Sequence, residues 1–185
     1  MIGPFDYSAL IKYDIVNGNS TECQNLILNN TGVNLGPLAF LNGDIYRIDK
    51  NGFLYVPVFM NHFVKYSIDG KIIYARNTIE NIKLPSVDRD NAKMVDFRLP
   101  EEYTSSWRSF VTGDKLYNVS YQARKKKTTG TDYVIDAYAI SNGDYLYSFT
   151  LSDMDILRNI YMDKERLYLL KDNLELEVLS YKIEE

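Results

Sequence analysis

The chain of 185 residues holds one Cys, one His and one Trp, so it is poor in the residues that build most small sites. A lone Cys23 can neither close an intrachain disulfide nor supply a cysteine-built zinc site, which excludes both kinds of scaffold. A lone His62 would leave any Ser-His-Asp triad resting on one residue, and no Gly-x-Ser-x-Gly elbow accompanies it. No apolar run approaches the ~20 residues that a membrane-spanning helix needs. The opening Met1-Ile2-Gly3-Pro4-Phe5-Asp6 lacks the basic and apolar regions of a signal peptide, so export is expected only if a leader lies outside this chain. Basic charge is also short. With 21 Lys and Arg against 25 Asp and Glu, the net charge is −4, and nothing in the overall field favours nucleic acid.

Aromatic residues are what the chain has in excess, at 14%, with 16 Tyr and 8 Phe. Tyr suits a half-buried pleated strand, because its ring packs on the sheet while its hydroxyl reaches water. A hydrophobic share of 45% with 25% charged residues is a globular balance. Coiled coil, helical bundle and collagen-like chain are excluded together.

Two short units recur in alternation along the sequence. The first is a turn followed by an apolar residue and Tyr: Asp49 to Tyr55, Thr112 to Tyr117 and Asp163 to Tyr168. The second is a strand ending in a Gly turn: Lys12 to Gly18, Lys65 to Lys71 and Ala137 to Asp144, with a truncated copy at Leu179 to Ile183. Asn-Gly and Asp-Gly allow the positive φ of two-residue hairpins, so each marks a reversal between antiparallel strands. Flanks such as Ile45-Tyr46-Arg47-Ile48 alternate at the strand period.

Tyr55, Tyr117 and Tyr168 lie 62 and 51 residues apart. Four strands with their turns need roughly 40–50 residues, the length of a propeller blade. The sequence therefore predicts an all-β, propeller-type domain over 1–185 with four-stranded antiparallel blades near 37–80, 104–151 and 154–183, plus N-terminal strands at 9–28. The first period is lengthened by a polar segment, Asn77 to Arg98. A β-sandwich with irregular strands stays open as the alternative.

The segment Tyr55-Val56, Asn61-His62-Phe63-Val64-Lys65-Tyr66 and Asp69-Gly70-Lys71-Ile72-Ile73 resembles the repeat of NHL-type six-bladed β-propellers. Tyr138 to Tyr181 is similar to the closing blades of bacterial six-bladed propeller proteins. The resemblance covers most of 37–183 and implies the propeller fold, with a place in the periplasm or cell envelope if the N-terminus is incomplete, many of those bacterial proteins being predicted lipoproteins. The acidic residue expected before the Asn-His pair is replaced by Pro57-Val58-Phe59-Met60, so no ligand residues carry over from the family.

Three complete units and an orphan half give about three and a half blades, whereas a closed ring usually takes four to eight. The expectation is a homo-oligomer that completes a ring, or part of a longer chain. Open sheet edges at both ends would invite pairing with another polypeptide.

The function that follows is non-catalytic binding of a protein or carbohydrate, with no cofactor and no metal. Loops joining second to third strands (Phe59 to His62, Gln122 to Thr131, Lys171 to Leu174) are expected on one face, joined by Asp88 to Tyr103. The candidate ligand-binding residues on that face are Phe59, Asn61, His62, Tyr103, Trp107, Tyr121 and Arg124. His62 also reads as a blade-loop residue that satisfies neighbouring backbone. Trp107 with Ser109 and Val111 also reads as packing in an innermost strand. Arg124-Lys125-Lys126-Lys127 also reads as a solvated hairpin loop. The alternative activity is a propeller hydrolase or lyase acting on a sugar lactone or glycan through an axial metal. Asp88, Asp90, Asp153, Asp155 and Asp163 are its carboxylate candidates.

Overall fold

The computed structural model describes residues 11–23, 43–58, 62–79, 86–88, 96–98, 105–122 and 130–182. Among them there is no helix. Fifteen strands run in chain order: β1 Ile11–Asp14, β2 Asn19–Glu22, β3 Gly43–Asp49, β4 Gly52–Pro57, β5 His62–Ser67, β6 Ile72–Asn77, β7 Ser86–Asp88, β8 Asp96–Arg98, β9 Ser105–Thr112, β10 Lys115–Gln122, β11 Thr131–Ala139, β12 Tyr145–Met154, β13 Leu157–Met162, β14 Arg166–Lys171 and β15 Leu176–Ser180. Every pairing is antiparallel, and each sheet joins strands in sequence order: β3-β4-β5-β6, β9-β10-β11-β12 and β13-β14-β15, with two hairpins, β1-β2 and β7-β8. The fold is thus all-β, built of antiparallel meanders of the propeller-blade kind, two of four strands and one of three. The small β7-β8 hairpin lies inside the stretch expected to be an inter-blade loop. Three-residue strands carry too little alternation to be read from the sequence.

The recurring turn signature has one physical cause. Asp14, Asp49, Asn142, Asp163 and Asn173 each accept, on a side-chain oxygen, the backbone N–H two residues on. Such Asx turns fold the chain back before the next strand. Gly18, Gly70 and Gly143 take φ of 68°, 78° and 77°, so the reversals stand where expected, but in loops longer than the two residues expected. Gly52 differs: its φ is not positive, and a Cβ there would lie 2.4 Å from the Tyr66 carbonyl oxygen. Close backbone approach between β4 and β5 selects that glycine, not turn geometry.

The chain divides into two compact units, Met1–Thr78 with Leu84–Arg98, and Ile79–Lys83 with Leu99–Glu185. The first has β4 at its centre, where Leu54, Tyr55 and Val56 are buried beside Phe63, Val64 and Tyr66 of β5. Phe53 stacks on Tyr66 with centroids 5.2 Å apart, and Phe63 meets Tyr74 edge-on at 6.3 Å. Burial pushes Tyr66 and Tyr74 up to about 12 and moves Tyr55 upward too, so all three stay neutral hydroxyls. Cys23 is buried against Gly70, and Lys12 pairs with Asp69 at 3.7 Å.

The second unit packs the sheet β9–β12 against β13–β15. Phe110, Tyr117, Val119, Tyr133, Ile135 and Ala137 of the first meet Leu157, Ile160, Met162, Leu167 and Leu169 of the second. Fully burying each such side chain stabilises by about 1.5–3 kcal/mol. The two sheets are closest at their first strands. Thr112 at the end of β9 donates its hydroxyl to the carbonyl of Met162 at the end of β13. At their last strands they part, leaving a groove of about 430 Å³ between β12 and β15. The wedge is closed at one edge and open at the other.

Candidate functional site

β11 is buried on both faces, which is why it does not alternate. Tyr133, Ile135 and Ala137 turn to the apolar core. On the opposite face a polar row crosses the sheet in register: Ser109, Asn118, Asp136 and Ser148. Asn118 and Asp136 have no exposed surface. Ser148 donates to Asp136 Oδ1, while Asp136 Oδ2 and Ser120 Oγ lack hydrogen-bond partners. Burial holds the Asp136 carboxyl above the usual carboxylate range, and the Ser148 bond only partly opposes it.

At one end of this unit, two connections meet the start of β11. Residues Thr131, Met154, Asp155, Ile156, Lys171, Asp172 and Asn173 line a cleft of about 400 Å³. The β12–β13 connection and the β14–β15 turn thus share one end with the first residue of β11. Local backbone chemistry shapes the cleft. A Cβ on Gly130 would lie 2.5 Å from Asp153 Oδ1 and 2.6 Å from its carbonyl carbon, so the β11 entry needs glycine to pass. Asp153 itself takes φ of 58°, and its N–H donates to Asp132 Oδ1 at 2.9 Å. Across the cleft, the Asp172 N–H donates to the Ile156 carbonyl at 2.9 Å.

Charge in the cleft is paired. Lys171 Nζ lies 3.1 Å from Glu177 Oε2 and 3.4 Å from Asp155 Oδ2, and Arg158 Nε lies 2.9 Å from Asp172 Oδ1. The Glu177 hydrogen bond and charge, then Asp155, raise the Lys171 pKa. An ammonium held in that form is a hydrogen-bond donor and not a nucleophile. Ile156 and Leu174 stand exposed at the rim, at 65% and 68%. The arrangement offers paired charges and a side-chain amide beside two apolar side chains.

The opposite end carries a second polar hollow of about 430 Å³, between the β9–β10 and β13–β14 turns and including Asp114, Lys115, Asp163, Lys164 and Lys182. Asp163 is committed to structure there. The Glu165 N–H and the Tyr168 hydroxyl hold its carboxylate below the usual range, and its carbonyl accepts the Tyr181 hydroxyl.

Of the residues expected to bind ligand, Phe59, Asn61, Tyr103 and Arg124 lie outside the described residues, as do Asp90 and the Lys125 to Lys127 run. His62 is the first residue of β5, opposite Asn77, and its burial lowers the imidazole pKa, so the ring is neutral at pH 7. Trp107 lies in β9 at a bulge, because Arg108 pairs with Val119 and Ser106 with Ser120, leaving Trp107 without an opposing residue. Tyr121 is the next-to-last residue of β10, opposite Ser105 and Tyr133. Trp107 and Tyr121 thus occupy the cleft end of one sheet. Asp153 and Asp155 flank the cleft, Asp88 ends β7, and Asp163 belongs to the far end. Among the described residues, no group of three or more His, Cys, Asp and Glu is placed to hold a metal ion.

The sequence reading did not find the Lys171–Asp155–Glu177 and Arg158–Asp172 pairs, since strand register alone brings these residues together. Asn173-Leu174 was their one local signal, a turn dipeptide whose Leu174 adopts φ of 69°. Among the described residues, no helix is long and apolar enough to cross a membrane. Comparison of the chain with protein-family models and with curated proteins gives no match in either.

Proposed function

We propose that the chain is a non-catalytic binding module of propeller type, resembling NHL-like six-bladed proteins, whose sheets act as blades and whose loop end receives a protein or carbohydrate partner. The wedge between β9–β12 and β13–β15 carries the reading. First strands in contact and last strands apart are what radial blades produce, whereas the layers of an aligned sandwich keep roughly 10 Å spacing across their width. With two four-stranded sheets, one of three and two hairpins among the described residues, further blades from a second copy or a longer chain complete the ring. A location in the bacterial cell envelope belongs to the same reading.

The loop end is the favoured docking face because it gathers the β12–β13 and β14–β15 connections at the start of β11, with exposed Ile156 and Leu174 beside Lys171 and Asp172. Glycan and peptide arrays probed with the wild-type chain and two charge variants test this. Lys171→Glu, at the loop end, is expected to weaken the hits about tenfold, while Lys164→Glu, at the far end, leaves them unchanged. Absence of saturable binding in both arrays, or turnover of chromogenic lactone or glycoside substrates, overturns it.

A further inference from the structure

Among the described residues, the sheet β13–β15 has three strands where β3–β6 and β9–β12 each have four, and the unmatched position is a definite one. In the four-stranded sheets the third strands, β5 and β11, are hydrogen-bonded on both sides. The third strand of the last sheet, β15, pairs with β14 alone among the described residues. The Tyr181 N–H donates to the Glu165 carbonyl, and the Lys171 N–H to that of Glu175. Odd-numbered positions of β15 therefore bond inward, and the backbone groups of Leu176, Val178 and Ser180 point to the free edge.

The core is unsealed beside that edge. Tyr147, Phe149 and Leu151 belong to β12, the fourth strand of the preceding sheet, and pack only partly against the core, as do Leu179 and Tyr181. Together with Leu167 they line the apolar groove of about 430 Å³. A fourth strand beside β15 would face β12 across this groove and cover both sets of side chains. β12 shows what such a strand looks like: Tyr147, Phe149 and Leu151 alternate with the exposed Leu146, Ser148 and Thr150.

We infer that the β15 edge and its groove form a strand-addition site, which takes an extended segment of a partner polypeptide with aromatic or aliphatic residues at every second position. Main-chain hydrogen bonds to Leu176, Val178 and Ser180 supply the ladder, and alternate side chains enter the groove. The inference stands on this one sheet edge and holds whether or not the sheets close a ring.

The probe is a labelled synthetic peptide with the β12 sequence, Tyr145 to Met154, compared with one of equal composition whose alternation is scrambled. A third peptide, N-methylated at alternate backbone positions, cannot form the ladder. Fluorescence anisotropy is expected to show saturable binding of the first, and at least tenfold weaker binding of the other two. Leu179→Lys in the protein is expected to weaken binding at least tenfold. Hydrogen exchange should show Leu176, Val178 and Ser180 becoming protected only when the first peptide is present. Equal binding of all three peptides overturns the inference, as does no binding at all. Slow exchange of those amides in the dilute free protein means its own chain fills the edge. Protection that rises with protein concentration alone means a second copy fills it. Either result also refutes a peptide site.

Discussion

The Tyr133 hydroxyl accepts a hydrogen bond from the Leu157 backbone N–H at 2.9 Å, in a fully buried setting. This contact ties the third strand of one sheet to the first residue of the next. It fixes where β13 begins against β11, and so where the wedge between the two sheets closes. Tyr133→Phe keeps the ring and leaves that N–H buried and unsatisfied. The expected loss is about 1–3 kcal/mol of stability, read as a lower denaturant midpoint at unchanged slope. Tyr147→Phe, at the half-open edge, removes only the 3.1 Å hydroxyl contact with Tyr117 and should change the midpoint far less.

Asp136 gives the protein a pH dependence of unusual sign. Burial raises its folded pKa above the ordinary value of 3.8, so the folded state holds the proton longer than the unfolded chain does. Stability from this group is full below about pH 3.8 and falls as pH rises through the raised folded value. Asp136→Asn keeps a group that can accept from Ser148 and cannot ionise. Thermal melts should show the variant more stable than wild type at pH 7, with the gap closing as pH drops towards 4. A gap that persists unchanged at low pH would show that the carboxyl is not the cause.

Two positions near the loop cleft respond in opposite senses to an exchange between glycine and a side chain. Leu174 adopts φ of 69° with its side chain 68% exposed, so Leu174→Gly relieves a left-handed penalty while removing little buried surface. The expected gain is about 1 kcal/mol. Gly130→Ala forces a methyl into the Asp153 backbone and should cost about 1–3 kcal/mol. Chemical denaturation of the two variants beside wild type measures both.

Cys23 reports on the first unit. Its thiol is 6% exposed, packs on Gly70, and is pushed up by burial, which leaves little thiolate at neutral pH. Labelling with a maleimide at pH 7.5 is expected to run at least tenfold slower in the native chain than in urea. Gly70→Ala, whose Cβ would lie 2.8 Å from that sulfur, should remove most of the difference.

Strand existence and reversal were legible because they rest on local chemistry. Asp and Asn at the turn starts accept the N–H two residues on, and Gly18, Gly70 and Gly143 take the positive φ that their Asx-Gly dipeptides signal. β11 was legible as a strand, yet not as one buried on both faces, because Asp136 reads as a surface residue until the sheet register brings Ser148 beside it. The candidate site was less legible still. Lys171, Asp155 and Glu177 lie on different elements, and only the pairing of β13 with β14 and β14 with β15 makes them neighbours. The bulge at Trp107 was hidden for the same reason: it appears only against β10.

Spin-label distances across the wedge test the radial arrangement most directly. In a Cys23→Ser background, one doubly labelled protein carries Arg108→Cys and Arg158→Cys on the first strands, β9 and β13. A second carries Thr150→Cys and Val178→Cys on the last strands, β12 and β15. All four native positions are exposed. Radial blades predict a distinctly longer distance for the second pair than for the first, and equal distances for the two pairs would contradict them.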